Sequence, residues 1–189
     1  MAGLTKISTK KRIREKSGFT LIELLIVVAI IAIIAAIAVP NIISTNIRAK
    51  VKGVRADMGS VAIALEDYRI DNGSYPPQYD DNYDKIATTA PLTSGNAQGL
   101  GRLIYPTTSS PTPVYLTSIP KDPFNDNPDP GGYYSYFTTG DPPKAWALVS
   151  YGPDRVRSIN SYDDAKDPSK IYDQNAGIIS SGDIVLTGP

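Results

Sequence analysis

Residues 11 to 40, KRIREKSGFTLIELLIVVAIIAIIAAIAVP, set a basic leader, one glycine and a long apolar run carrying a single acid side by side. Up to Gly18 the leader holds Lys6, Lys10, Lys11, Arg12, Arg14 and Lys16 against Glu15 alone. Such a bias keeps a segment on the cytoplasmic side while the run behind it inserts. From Phe19 to Val39 the only residues that are not apolar are Thr20 and Glu23. About 21 residues at ~1.5 Å each make roughly 30 Å of helix, the depth of a bilayer core. The run is therefore expected to span a membrane, N-terminus inside.

An ordinary secretory signal has an apolar run of roughly 7 to 15 residues followed by a small-residue cut, whereas here the candidate cut precedes the run. Cleavage there leaves the anchor on the mature chain. Gly18-Phe19-Thr20-Leu21-Ile22-Glu23 resembles the site recognised by prepilin peptidase in type IV pilins and in the pseudopilins of type II secretion systems. The resemblance implies cleavage between Gly18 and Phe19 and N-methylation of Phe19. It divides the chain into a leader (1–18), a transmembrane and filament-core helix (19–45) and a soluble head (46–189) that includes the amphipathic half of the helix. The residues alone also admit an uncleaved single-pass anchor with an incidental glycine.

A plain anchor has no use for Glu23. Acids inside membrane spans are rare and mark function. In the pilin family the matching glutamate is thought to meet the N-terminal amine of a neighbouring subunit during assembly, which pairs both charges in an apolar core. The bland reading is a carboxylate that snorkels from the first helical turn to the interface.

Taking the leader's six basic and one acidic side chains from 19 and 19 leaves 13 against 18, a mature net charge of about −5. No basic field survives for nucleic acid, which is not expected as a partner of the head. The chain has no cysteine and no histidine, which excludes zinc fingers, thiol catalysis, Ser-His-Asp triads and disulfide staples. Many type IV pilins close a C-terminal loop with a disulfide, so this composition leans toward the pseudopilins.

Organisation changes near residue 70. Before it stands one proline, Pro40; after it come the other fifteen of 16, with eleven of the 15 glycines. This is the shift from continuous helix to short strands and turns. Pro40 cannot donate to the helical ladder and is expected to kink or locally open the helix. Beyond it, Ile47, Val51, Val54, Met58, Val61, Leu65 and Tyr68 alternate at spacings of four and three, with Arg48, Lys50, Lys52, Arg55 and Asp57 off the stripe. The stripe is expected to pack on the chain's own sheet; a coiled-coil seam is the alternative. Asp71-Asn72-Gly73 and Tyr75-Pro76-Pro77 stop the helix near Ile70.

Residues 77–121 read as a variable loop with a short helix near 99–105 and Leu100, Leu103, Ile104 and Leu116 as core contacts. Residues 107–113, TTSSPTP, are an extended loop or a site for O-linked sugar. Residues 133–137 and 145–151 read as an antiparallel hairpin and 184–186 as a weaker third strand. The expected fold is α+β: a long N-terminal helix on a small antiparallel sheet with a loop-rich head. Leu65 to Pro76, Ile119-Pro120-Lys121-Asp122-Pro123-Phe124 and Ser150-Tyr151-Gly152-Pro153-Asp154 each resemble a segment of the major pseudopilins, whose fold is of this pilin-like kind.

Asp154, Asp163, Asp164, Asp167, Asp173 and Asp183 lie among Gly, Asn and Ser, and calcium takes six to eight oxygens from such loops. In major pseudopilins the matching loop binds calcium, and the resemblance assigns Asp154 and Asp183 to it. An exposed acidic loop without metal is the alternative. Adjacent acids such as Asp163-Asp164 fix no separation for acid/base work, so no enzyme is expected. The twelve tyrosines give material for a binding module at a filament tip, or for hairpin pairs. Taken as a major pseudopilin, the chain is implied to be the subunit of a homopolymeric filament that drives protein export. Its partners are then membrane lipid, prepilin peptidase, an inner-membrane assembly platform and minor pilins or pseudopilins. Taken as a type IV pilin, it forms a surface fibre for adhesion, motility or DNA uptake.

Overall fold

The computed structural model describes residues 18–78, 99–104, 114–126 and 132–189. The leader before Gly18, the TTSSPTP stretch and much of the expected loop lie outside these residues. The chain divides into two compact units, Met1–Ile42 and Ile43–Pro189.

A single helix, α1 (Leu21–Asn72), begins in the first unit. There it is apolar all round, with Leu21, Ile30, Ile34 and Ile37 exposed. A helix with no polar face needs an apolar surrounding, and this one is long and apolar enough to cross a membrane. Helical assignment runs through Pro40 without a break, so the expected local opening is absent. One missing N–H removes one rung of the ladder, and the rungs on either side hold the turn.

In the second unit α1 buries Val51, Val54, Met58, Val61, Ala64, Leu65 and Tyr68. All but Ala64 belong to the expected stripe, and Ile47 is half-buried at its start. They pack with Tyr134, Tyr136, Trp146, Leu148 and Ile184, so the stripe meets the chain's own sheet. That sheet has the order β1 (Ser135–Thr139), β2 (Ala145–Ser150), β3 (Ile184–Thr187), antiparallel throughout. All of β2 is buried because both its faces are covered. Trp146 and Leu148 join the helix cluster, while Ala147 and Val149 join Phe137, Ile159 and Ala165 in a second one. A central strand of this kind reads as a continuous apolar run rather than an alternation.

Several element boundaries differ from expectation by one or two residues, and two of the shifts have a visible cause. The first strand starts at Ser135 rather than Tyr133, because Tyr133 instead bridges Lys121. The helix runs two residues past Ile70, since Asn72 Nδ2 donates to the Tyr68 carbonyl (2.9 Å) before Gly73, at φ +75°, turns the chain away. The short helix is a 3-10 turn at Gly99–Leu103. It sinks Leu100 and Leu103 fully, with Ile104 and Leu116 packed beside them.

Asp122 fastens the loop before the sheet to the end of β2. Its Oδ1 accepts from Phe124 N (2.9 Å) and Ser150 Oγ (2.8 Å), and its Oδ2 from Tyr151 N (3.0 Å). Burial pushes its carboxyl above the ordinary range, and these three donors offset part of that. Asp122→Ala would leave two buried donors, Phe124 N and Ser150 Oγ, without an acceptor, each a loss of about 1–3 kcal/mol, and would strip the part-buried Tyr151 N as well. We expect the head to lose about 3 kcal/mol or more in a denaturant melt, with processing at Gly18 unchanged. A loss below about 1 kcal/mol would mean that water replaces the carboxylate.

Candidate functional site

At the N-terminus, Glu23 folds back on Thr20. Its Oε2 accepts from Thr20 N (2.9 Å) and Thr20 Oγ1 (2.7 Å), while Glu23 N donates to Thr20 Oγ1 (3.3 Å). This is a capping box, in which Thr20 and Glu23 satisfy each other's first-turn donors reciprocally. The T-x-x-E spacing of Thr20 and Glu23 is its sequence signature. Phe19 is exposed, and the Cβ position of Gly18 has open space among the described residues. Packing among the described residues therefore gives no reason for a glycine at 18.

Toward the C-terminus, Gly152 and Gly182 bring two loops into contact. A Cβ on Gly152 (φ +71°) would collide with the Gly182 carbonyl, and one on Gly182 (φ +108°) would lie 2.8 Å from the Lys170 carbonyl oxygen. Only glycine fits either place. The next residue, Asp183, is held on both sides of its main chain: its N donates to the Lys170 carbonyl (2.8 Å), and its carbonyl accepts from Tyr172 N (2.8 Å). Its side chain is fully buried. Oδ2 accepts from Ser158 N (2.9 Å) and Ile159 N (2.8 Å), whereas Oδ1 is buried with no partner. Burial first, then the charge of Asp154, push the Asp183 carboxyl up to about 6.

Asp154 accepts from Gly182 N (3.2 Å) through Oδ2 and from Val156 N (3.1 Å) through Oδ1. The structure thus brings together the two acids singled out from the sequence. The other tail acids are engaged elsewhere. Asp164 takes Lys170 Nζ (2.5 Å), Asp167 caps Ser169 N (2.9 Å), Asp173 caps Asn175 N (2.8 Å), and Asp163 faces Lys166 at 4.0 Å. Among the described residues no group of three or more acidic, histidine or cysteine side chains converges on one point.

Two comparisons with known proteins bear on these arrangements. Residues 13–39 match the prokaryotic N-terminal methylation motif, and residues 41–165 match the profile of type II secretion system protein G. The chain belongs to the type II secretion system protein G family. Relatives agree with this placement. The type II secretion system core protein G of Pseudomonas aeruginosa is 34% identical over 133 residues, covering 67% of this chain and 77% of that protein. Its Vibrio cholerae counterpart is 32% identical over 136 residues, covering 69% and 77%. The type IV wide pilus major component of Thermus thermophilus reaches 49% identity, but over 62 residues, 33% of this chain and 47% of that protein. No solved structure gives a significant match. Membership makes this chain a major pseudopilin, with the pilin-like helix and three-stranded sheet described above. The protein G match takes in Asp122 and Asp154 but stops at residue 165, short of Asp183.

Proposed function

We propose that this pseudopilin is a filament subunit that drives protein export. Residues 19–39 hold it in the cytoplasmic membrane with the N-terminus inside and the head outside. Prepilin peptidase cuts between Gly18 and Phe19, Phe19 is methylated, and an inner-membrane platform draws the chain into a homopolymer with minor pseudopilins. The observation that carries this is one chain joining the methylation motif over 13–39 to the protein G match over 41–165. A type IV surface fibre is favoured by the wide-pilus relative, whose match covers one third of the chain.

Intact-mass analysis of protein from the native host is expected to show a chain beginning at methylated Phe19. Deleting the gene is expected to change the set of proteins in the medium. Filaments built from subunits that keep residues 1–18 would refute the processing step, and an unchanged medium would refute the export role.

The second part of the reading is a calcium ion at Asp154 and Asp183. What supports it is a buried carboxylate oxygen without a donor, Asp183 Oδ1, beside Gly182, whose N–H donates to Asp154 of the neighbouring loop. An oxygen-rich loop with two acids is what calcium fits, main-chain carbonyls and water making up its remaining ligands. When bound, the ion supplies a positive charge that offsets the burial of Asp183 and ties the 152–159 loop to the 182–184 segment. Gly152 and Gly182 set the close approach that this requires, and Ser158 N and Ile159 N orient the Asp183 carboxylate.

A further inference from the structure

The core stripe of α1 leaves an opposite face on the second unit that nothing among the described residues covers. Lys52, Ile63, Asp67 and Ile70 fall within a sector of roughly 60° at 100° per residue, and all four are exposed. Ile63 is 67% and Ile70 75% exposed, and Val114, beside Ile70, is 61% exposed. Aliphatic side chains so open are ordinary one at a time. Here they flank an acid, and Asp67 forms the shared rim of two recesses of about 310 and 370 Å³ on either side of the helix.

The charges on this face are left over. Glu66 is engaged by Tyr75 Oη (2.7 Å) and Arg69 Nε (3.1 Å), and Asp71 by Tyr115 Oη (2.9 Å). Asp67 has no ion pair or hydrogen bond among the described residues, and neither do Arg48, Lys52 and Arg55. An unpaired basic band around 48–55 and an unpaired acid between two exposed isoleucines therefore stand on one helix. Lys52 and Asp67 are about 22 Å apart along it, so they cannot meet within a chain.

We infer that the band Ile63–Asp67–Ile70 of one subunit docks on the Arg48–Lys52–Arg55 band of another copy of this chain, with Asp67 against Lys52. This rests on the filament reading above and names the surface that reading needs. Because the two bands are different patches, the contact is heterologous, and repeating it gives an open array rather than a closed dimer. Val114 extends the apolar side of the acidic band. Complementary charge fixes the register, and a reversed charge is rejected.

The test is filament yield, as sheared fibres from full-length processed protein in the native host. Lys52→Asp and Asp67→Lys are each expected to lower the yield about tenfold or more, with membrane-fraction levels and Trp146 fluorescence unchanged. The double variant, Lys52→Asp with Asp67→Lys, is expected to return the yield to within about threefold of wild type. Single losses without rescue would show that these residues face something other than each other, and full yield from either single variant would show that they face nothing. Both outcomes overturn the inference and leave the filament reading standing. A wild-type chain that forms no filament removes that reading and the inference with it.

Discussion

Glu23→Gln should leave this chain in the membrane fraction at wild-type level and yield no filaments, whereas Thr20→Val should assemble normally. The pair separates the cap, which the structure shows, from the assembly role that the family resemblance implies for the same carboxylate. In the subunit, Glu23 accepts from Thr20 N and Thr20 Oγ1, and glutamine serves a capping box as well as glutamate does. Glu23→Gln therefore keeps the cap and removes only the charge. Thr20→Val does the reverse, deleting the hydroxyl and keeping the charge. Should the cap be all that matters, Thr20→Val is the variant that fails and Glu23→Gln assembles. If the carboxylate meets the new amine of Phe19 in a neighbouring subunit, as the pilin resemblance implies, only the charge change is lethal to assembly. Neutralising the side chain also eases insertion, so a fall in the membrane fraction would point to a folding or targeting fault instead. In that case Thr20 is a latch, holding the carboxylate until a stronger, cationic partner arrives. Filaments from Glu23→Gln at wild-type yield would end the assembly role.

The parts of the molecule legible in the sequence are those where one local period decides. The stripe from Val51 to Tyr68 has a 3.6-residue period and no competing pattern, so its burial was readable residue by residue. The run Ala145–Ser150 was readable as a strand because aromatic and β-branched residues between turn signals admit little else. Tyr133 was not, since its partner, Lys121, is set by the main-chain bond from Asp122 N to Gly132 (2.8 Å), a contact between segments that no local pattern encodes. Asp122 illustrates the same limit. From sequence it is an acid before a proline, and only the folded chain shows three donors converging on it. The capping box is legible in the T-x-x-E spacing of Thr20 and Glu23, a local signal that the membrane setting of Glu23 masks. The outer face of α1 was hidden for another reason. Ile63 and Ile70 interrupt a polar face, and a pattern search for the core stripe discards what falls off it.

Calcium should raise the melting temperature of the full chain in detergent, followed through Trp146, by about 5–10 °C when free calcium is 100-fold above its dissociation constant. The size follows from about 2.7 kcal/mol of linkage and from ~2–4 °C per kcal/mol for a chain of this length. Trp146 is the single tryptophan and is buried in the helix-facing cluster, so its fluorescence reports the head and not the membrane segment. The informative variant is Asp183→Asn. Asp183→Ala would strip Ser158 N and Ile159 N of their acceptor and destabilise the loop whether or not a metal binds. An amide keeps that acceptor and places a neutral group where Oδ1 is buried without a donor. In chelator, Asp183→Asn should therefore melt at or above wild type, because it no longer buries a charge. In calcium it should fall below wild type, because it has lost the ligand. Asp154→Ala should blunt the calcium response and lower the chelator melt by about 1–3 kcal/mol, since the exposed Val156 N finds water but the N–H of the buried Gly182 loses its acceptor. This crossing of wild type and Asp183→Asn between the two conditions is the signature of an ion on Asp183. A wild-type melt that ignores calcium up to millimolar levels would instead leave Asp183 as a buried acid whose displaced titration has a purely structural origin.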